Sequence, residues 1–264
     1  MIRRGTSGRR RWASKALWAG VLTLLGIIVF DEVASAMATR QANLAHPYNA
    51  QFTFTRLRYG QPQDFGFFGG RGREPQWAHD YPRSDRNFVS ILEFLTNTHT
   101  RLNDTNVLDV DDPELLKFPV AYLSEPGFWN PTEREVEAFR TYLLKGGFVI
   151  LDDFGGARDW ANTERQFERV LPGYQWEEIR GDHPIFQTFF EVNAPENLFN
   201  YRGAPIYFAL FEENDPSRRV VAIANYNNDI GEFWEFADAG ILPVAESNKA
   251  FQIGINYIIY AMSR

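Results

Sequence analysis

The run Phe148-Val149-Ile150-Leu151 constrains the fold of this chain more than any other feature. Four consecutive large apolar residues lie between Gly146-Gly147 and Asp152-Asp153. Such a run suits a strand buried on both faces, as inside a parallel sheet. Phe118–Leu123 is a second apolar strand, closed by Ser124-Glu125-Pro126-Gly127. Between the two, Val136, Phe139 and Leu143 recur at helical spacing. Asn130 is the expected N-cap of this helix, Pro131 its first residue and Glu133 the far side of a capping box, with Gly146-Gly147 as the stop. The segments 118–123, 131–145 and 148–152 therefore read as a strand–helix–strand unit, because parallel strands need a crossover of this kind.

The remaining elements extend the same pattern. Gln51–Tyr59 alternates around Phe52, Phe54 and Leu57 and reads as a strand. Ser84 is placed to cap a helix in which Phe88, Ile91, Leu92 and Leu95 share a face. Further strands are expected at 106–110, 205–211 and 219–224, and helices within 160–171 and 248–262. Gly60–Gly72 reads as a loop; its glycines lack the Lys-Ser/Thr ending of a phosphate-binding loop.

Charge divides the chain into two parts. Six of the 27 Lys and Arg and two of the 34 Asp and Glu fall in residues 1–38. The remainder holds 21 basic and 32 acidic residues, a net of −11. A domain that acidic, without a basic stripe, is unsuited to nucleic acid. The N-terminal part has a basic stretch, Arg9-Arg10-Arg11, then the apolar run Ala16–Phe30, then small residues at Ala34, Ala36 and Ala38. That three-part pattern is expected of a signal peptide, or of an N-terminal membrane anchor, over 1–38. The arginine pair lacks the usual residues of a twin-arginine signal. Residues 39–50 read as a linker and 51–264 as one α/β domain. Either reading of 1–38 makes the domain exported, periplasmic or extracytoplasmic, touching the membrane only through the N-terminal segment, with residues 16–30 as the tether if it is retained.

Several short motifs share an order with one known family. They are Arg56-Leu57-Arg58-Tyr59, Trp77-Ala78-His79-Asp80-Tyr81-Pro82 running into Asp85-Arg86-Asn87-Phe88, and Ser124-Glu125-Pro126-Gly127-Phe128-Trp129. Gly146-Gly147-Phe148 into Asp152-Asp153, Asp182-His183-Pro184-Ile185-Phe186, Asn228-Asp229-x-Gly231-Glu232 and Ala250–Asn256 follow. In these the chain resembles the domain-of-unknown-function family 4159 (DUF4159). The resemblance implies a flavodoxin-like (class I glutamine amidotransferase-like) fold: a mostly parallel sheet with helices on both faces. In that fold a strand following a helix ends in a sharp turn bearing a nucleophilic cysteine. Strand 148–152 looks like the counterpart, and its turn carries carboxylates. The chain has no cysteine, so glutaminase chemistry through a thioester is excluded.

Ligands of open α/β sheets bind outside the carboxyl ends of the strands. Glu125 follows one such strand, Asp152 and Asp153 close the next, and Asp182 with His183 lie in a loop expected to approach the same edge. These five are the candidate ligand or metal site, with a divalent cation as the implied cofactor. His79, Asp80, Trp129 and Asp229 are secondary candidates. Several have plainer structural alternatives: Asp152-Asp153 as a loop cap, His183-Pro184 as a turn, His79-Asp80 before a Tyr-Pro turn with Asp80 orienting Arg83 or Arg86, and Asp229-x-Gly231-Glu232 as a loop turn. The loop aromatics Phe65, Phe67, Phe68, Trp77, Tyr81, Phe128 and Trp129 suit either a sugar or partner surface or a small core over the sheet edge. No serine elbow, zinc-protease helix or dinucleotide fingerprint is present in the sequence. Two functions are expected. One is a non-catalytic binding or assembly module of the cell envelope, with an envelope protein or small polar ligand as partner. The other is a carboxylate- or metal-dependent hydrolase of a glycan or related polar substrate.

Overall fold

The computed structural model describes residues 46, 48–60, 75–102, 105–199 and 202–264. The expectations for 1–38, most of the linker, and Phe65, Phe67 and Phe68 fall outside these described residues. Among the described residues, no helix is long and apolar enough to cross a membrane.

Among the described residues, seven strands form one sheet: β1 (Thr55–Arg58), β2 (Asn106–Asp109), β3 (Val120–Ser124), β4 (Phe148–Phe154), β5 (Glu177–Ile179), β6 (Ile206–Phe211) and β7 (Val220–Tyr226). Their order is β2-β1-β3-β4-β7-β6-β5. The first five in that order run parallel, and β6 and β5 are antiparallel additions. The parallel part follows the flavodoxin-like doubly wound order, which reverses direction between β1 and β3. β3 and β4 lie side by side in register, Val120 opposite Phe148 through Ser124 opposite Asp152, so their carboxyl tips share one rim.

Alternation along the strands sorts the core into two layers. Phe54, Tyr122, Phe148, Ile150 and Ile223 point to the face packed by α1 (Arg83–Leu95), α4 (Ile230–Glu235) and α5 (Val244–Met262). Leu57, Ala121, Leu123, Val149 and Leu151 point to the face packed by α2 (Glu133–Leu144) and α3 (Gly156–Val170). Both faces are covered, which is why β4 is buried at every residue.

Local signals differ from expectation at three helix starts. The cap of α2 is Thr132, whose hydroxyl accepts from Glu135 N while the Glu135 carboxylate takes the Thr132 N–H. Asn130 and Pro131 precede it, because Thr132-x-x-Glu135 makes the complete box. Ser84 lies inside α1, which follows Pro82, and its hydroxyl serves Arg56 instead. Residues 230–235 form α4, with Asp229 as its N-cap accepting from Glu232 N, where a loop turn is the expectation.

Among the described residues, one cation is fully buried. Arg56 follows Phe52 and Phe54 in the period-two pattern and so points inward, fully buried. It donates through Nε to Asp85 Oδ2 at 3.1 Å and through Nη2 to Asp85 Oδ1 at 2.5 Å. Nη1 donates to the carbonyls of Trp77 (3.1 Å) and His79 (2.9 Å). Its guanidinium carbon stands 4.7 Å from the centre of the Tyr122 ring. Removing one partner of such a pair strands the other charge. Asp85→Ala is therefore expected to cost about 3–5 kcal/mol. Asp109→Ala, which breaks the exposed pair with Arg58, should cost less than about 1 kcal/mol. Urea unfolding midpoints at constant slope check both.

Candidate functional site

The acidic tips of the parallel strands converge on the carboxyl rim, and neighbouring residues there do different work. Asp152 points to the α1/α4/α5 face, completely buried. Its Oδ2 accepts from Tyr122 Oη (2.7 Å) and Gly231 N (2.9 Å). Its Oδ1 accepts from Asn225 Nδ2 (3.0 Å) and Ile230 N (3.3 Å). Burial pushes its pKa up, against the downward pull of Tyr122, Asn225 and Gly231. Three of the four partners can only donate, so the carboxylate acts as an acceptor and holds the start of α4 onto β4. Gly231 is required by this approach: a Cβ there would meet Asp80 Oδ2 and Tyr122 Oη at 2.8 Å.

Asp153 turns the other way. Its backbone is left-handed (φ 58°), at an irregularity in the pairing of β4 with β7 between Leu151 and Phe154. The side chain is buried yet reaches the rim, with Oδ2 2.6 Å from His79 Nδ1 and Oδ1 2.6 Å from Arg202 Nη2. Burial works to raise its pKa, but the His79 hydrogen bond and the Arg202 charge outweigh it and hold the group below the usual aspartate range. His79 rises correspondingly to about 9, chiefly through that bond, and is 42% exposed.

Asp80 and Asp229 complete the cluster. Asp80 is also left-handed (φ 62°) and nearly buried; burial raises its pKa to about 8. Its Oδ1 lies 3.4 Å from His79 Nδ1, and its Oδ2 has no hydrogen-bond partner. Asp229 is buried, and burial followed by the charges of Asp153 and Asp80 pushes its pKa well up. One donor atom each from His79, Asp80, Asp153 and Asp229 lies within 4.8 Å of the other three. Glu125, left-handed at φ 46°, flanks them; burial and then the Asp153 charge raise its pKa to about 7. Its own carbonyl accepts from Tyr59 Oη at 2.8 Å.

The rim thus gathers Glu125, Asp153, His79, Asp80 and Asp229, with Asp152 beneath as support. It does not gather Asp182 and His183. The His183 ring packs 5.7 Å from Phe211 and 6.5 Å from Tyr260, beside the start of β7, where Tyr260 Oη accepts from Val220 N. That is the amino edge of the parallel strands. His183 Nδ1 accepts from Ile185 N as the cap of a short turn, burial lowers its pKa, and Asp182 is exposed to solvent. Trp129 is also not a rim residue: it is buried against Phe139 and Phe167 in the α2/α3 layer. Of the loop aromatics that are described, Phe128 is exposed, and Trp77 and Tyr81 are half-buried with ring centres 6.1 Å apart.

Arg56, Tyr122, Asn225, Arg202 and Gly231 were not among the candidates from sequence. Arg56 did carry a signal, its phase with Phe52 and Phe54. For Arg202 and Asn225 the link to β4 is purely tertiary.

Fold and site together define a doubly wound α/β domain with a thiol-free, carboxylate-rich carboxyl edge. Residues 53–262 match the family described as Domain of unknown function (DUF4159), and the chain belongs to that family. No curated protein matches the chain significantly.

The division of labour between neighbours is measurable. In either orientation Asp152→Asn places an amide NH2 against at least one N–H that can only donate, Gly231 N or the pair Asn225 Nδ2 and Ile230 N, and is expected to lose about 1–3 kcal/mol. Asp182→Asn, at the opposite edge, should stay within about 0.5 kcal/mol of the parent. Equilibrium unfolding of both variants gives the comparison.

Proposed function

We propose that this chain is a non-catalytic binding module of the cell envelope that holds a polar ligand at the carboxyl rim of its sheet. The observation that carries the reading is the convergence of His79, Asp80, Asp153 and Asp229 within 4.8 Å, at the edge where open α/β sheets take ligands. By the resemblance to the amidotransferase-like fold, the turn that closes β4, with Asp152 and Asp153, is the counterpart of the turn that bears the cysteine. Both oxygens of Asp153 are already paired, to His79 and Arg202. A carboxylate stabilised in this way is a weak nucleophile and a weak base, and is better suited to binding than to attack. The envelope location is supported by the basic and apolar residues 1–38 ahead of an acidic domain.

One observation favours hydrolysis instead. Asp153 is held below the usual carboxylate range, and Asp229, within 4.8 Å of it, above that range. Pairs split in this way serve as base and acid in carboxylate hydrolases, here of a glycan or related polar substrate.

The test has two stages. With the full chain expressed in a bacterial host, protease added to spheroplasts should degrade the domain; complete protection would refute export. Purified protein is then melted with divalent chlorides, amino sugars and dicarboxylates. At 100 times its Kd a true ligand stabilises by about 2.7 kcal/mol, about 5–10 °C for a domain of this size. The shift should vanish in Asp153→Ala. No shift with any class overturns the binding reading. Turnover of a chromogenic glycoside, lost in Asp153→Asn, would establish hydrolysis in its place.

A further inference from the structure

We propose that the ligand of this rim is a first-row divalent cation of the Mn2+ or Zn2+ type, held by His79 Nδ1 and one carboxylate oxygen each of Asp80, Asp153 and Asp229. The inference rests on the binding reading above and names its ligand.

Geometry comes first. Metal–ligand bonds of about 2.0–2.2 Å place neighbouring ligand atoms roughly 3–3.6 Å apart. His79 Nδ1 and Asp80 Oδ1, at 3.4 Å, already have that separation. The widest separation in the cluster is 4.8 Å at most, so closure onto an ion needs only small side-chain movements. The three segments that supply the ligands are independently fastened. Arg56 grips the His79 carbonyl, β4 carries Asp153, and Asp229 caps α4.

The second observation is an orphaned atom. The Asp80 side chain is 2% exposed and its Oδ2 has no hydrogen-bond donor. Buried polar atoms without a partner are rare in native structures, and an ion or water is a common completion. The ligand set also has room for two positive charges once His79 binds as a neutral imidazole. Arg202 offsets one of the three carboxylates, and a divalent cation would offset the other two. The outer contacts are of the kind that orient metal ligands: Arg202 on Asp153, and Glu232 N at 2.9 Å from Asp229 Oδ1.

Ligand chemistry selects the ion. Three carboxylates with one imidazole suit Mn2+, Fe2+ or Zn2+. Ca2+ takes six to eight oxygens, and Mg2+ tends to keep several waters. His79 is half-exposed and leaves a solvent side for entry and for a further ligand.

The experiment uses the full chain, stripped with EDTA, free of any affinity tag, and titrated calorimetrically with MnCl2, ZnCl2, MgCl2 and CaCl2. Mn2+ or Zn2+ should bind once per chain, at least ten-fold tighter than Mg2+ and Ca2+. Asp80→Asn and Asp229→Asn should each weaken binding at least ten-fold. Should either buried variant fail to fold, His79→Gln, at a half-exposed position, is expected to show the same loss with an unchanged circular dichroism spectrum. Equal affinity in parent and variants overturns the inference. So does an absence of metal binding while an amino sugar or dicarboxylate still raises the melting temperature; in that case the binding reading stands. If neither metals nor organic probes bind, both fall.

Discussion

The rim depends on one buried carboxylate, Asp152, accepting from three elements at once. Tyr122 of β3, Asn225 of β7 and the first two backbone N–H groups of α4 all donate to it. An acceptor with four donors at the centre of the sheet edge fixes where α4 begins, and with it Asp229 and Glu232. Its energetic weight comes from asymmetry. Each such bond contributes modestly in balance, but a buried donor left without its acceptor carries the full cost of desolvation. Replacement at Asp152 would orphan donors on three elements together. The position is therefore structural, although it adjoins Asp153, which reaches the rim.

Arg56 does the equivalent for the other half of the site. A buried ion pair is seldom more stabilising than apolar residues of the same volume, so its contribution is sought in position. Its five N–H donors meet both oxygens of Asp85, the hydroxyl of Ser84 and the carbonyls of Trp77 and His79. Those partners span the segment leading into α1, a stretch without regular structure beyond a three-residue 3-10 turn. The guanidinium supplies the donors that a helix or strand would otherwise provide. His79 and Asp80 are thereby presented to β4 by a loop that is tied at both ends.

How much of this was legible in the sequence follows from the range of each interaction. The β3–α2–β4 unit was readable because local signals suffice: a two-sided apolar run, helical spacing and glycine stops. The rim position of Asp153 and Glu125 followed from topology alone. Asp182-His183 was misplaced because reaching the carboxyl edge depends on strand direction. The loop packs beside Phe211, where the antiparallel β6 ends level with the start of β7, and no local pattern announces that reversal. Helix α4 is six residues long, too short for a periodic signal, and is stabilised by Asp229 and by Asp152 from β4. Trp129 follows a Pro-Gly turn and reads as a residue of the sheet edge, whether surface or small core, yet it fills the gap between α2 and α3.

Backbone strain supplies an independent reason to see this rim as more than a structural edge. Seven non-glycine residues among those described have positive φ, and Asp80, Glu125, Asp153 and Asn227 lie at the ends of the parallel strands or against them. A left-handed conformation costs an L-residue roughly 1–2 kcal/mol, somewhat less for Asp and Asn. Glycine would remove that cost at each position. At Asp153 it would also remove the partner of His79 and Arg202, and at Asp80 a carboxylate that the fold buries without satisfying. For stability alone, glycine at Asp80 would be the better residue. Strain and a buried carboxyl oxygen without a hydrogen-bond donor, gathered on one rim, are departures from local stability of the kind that cluster at functional sites.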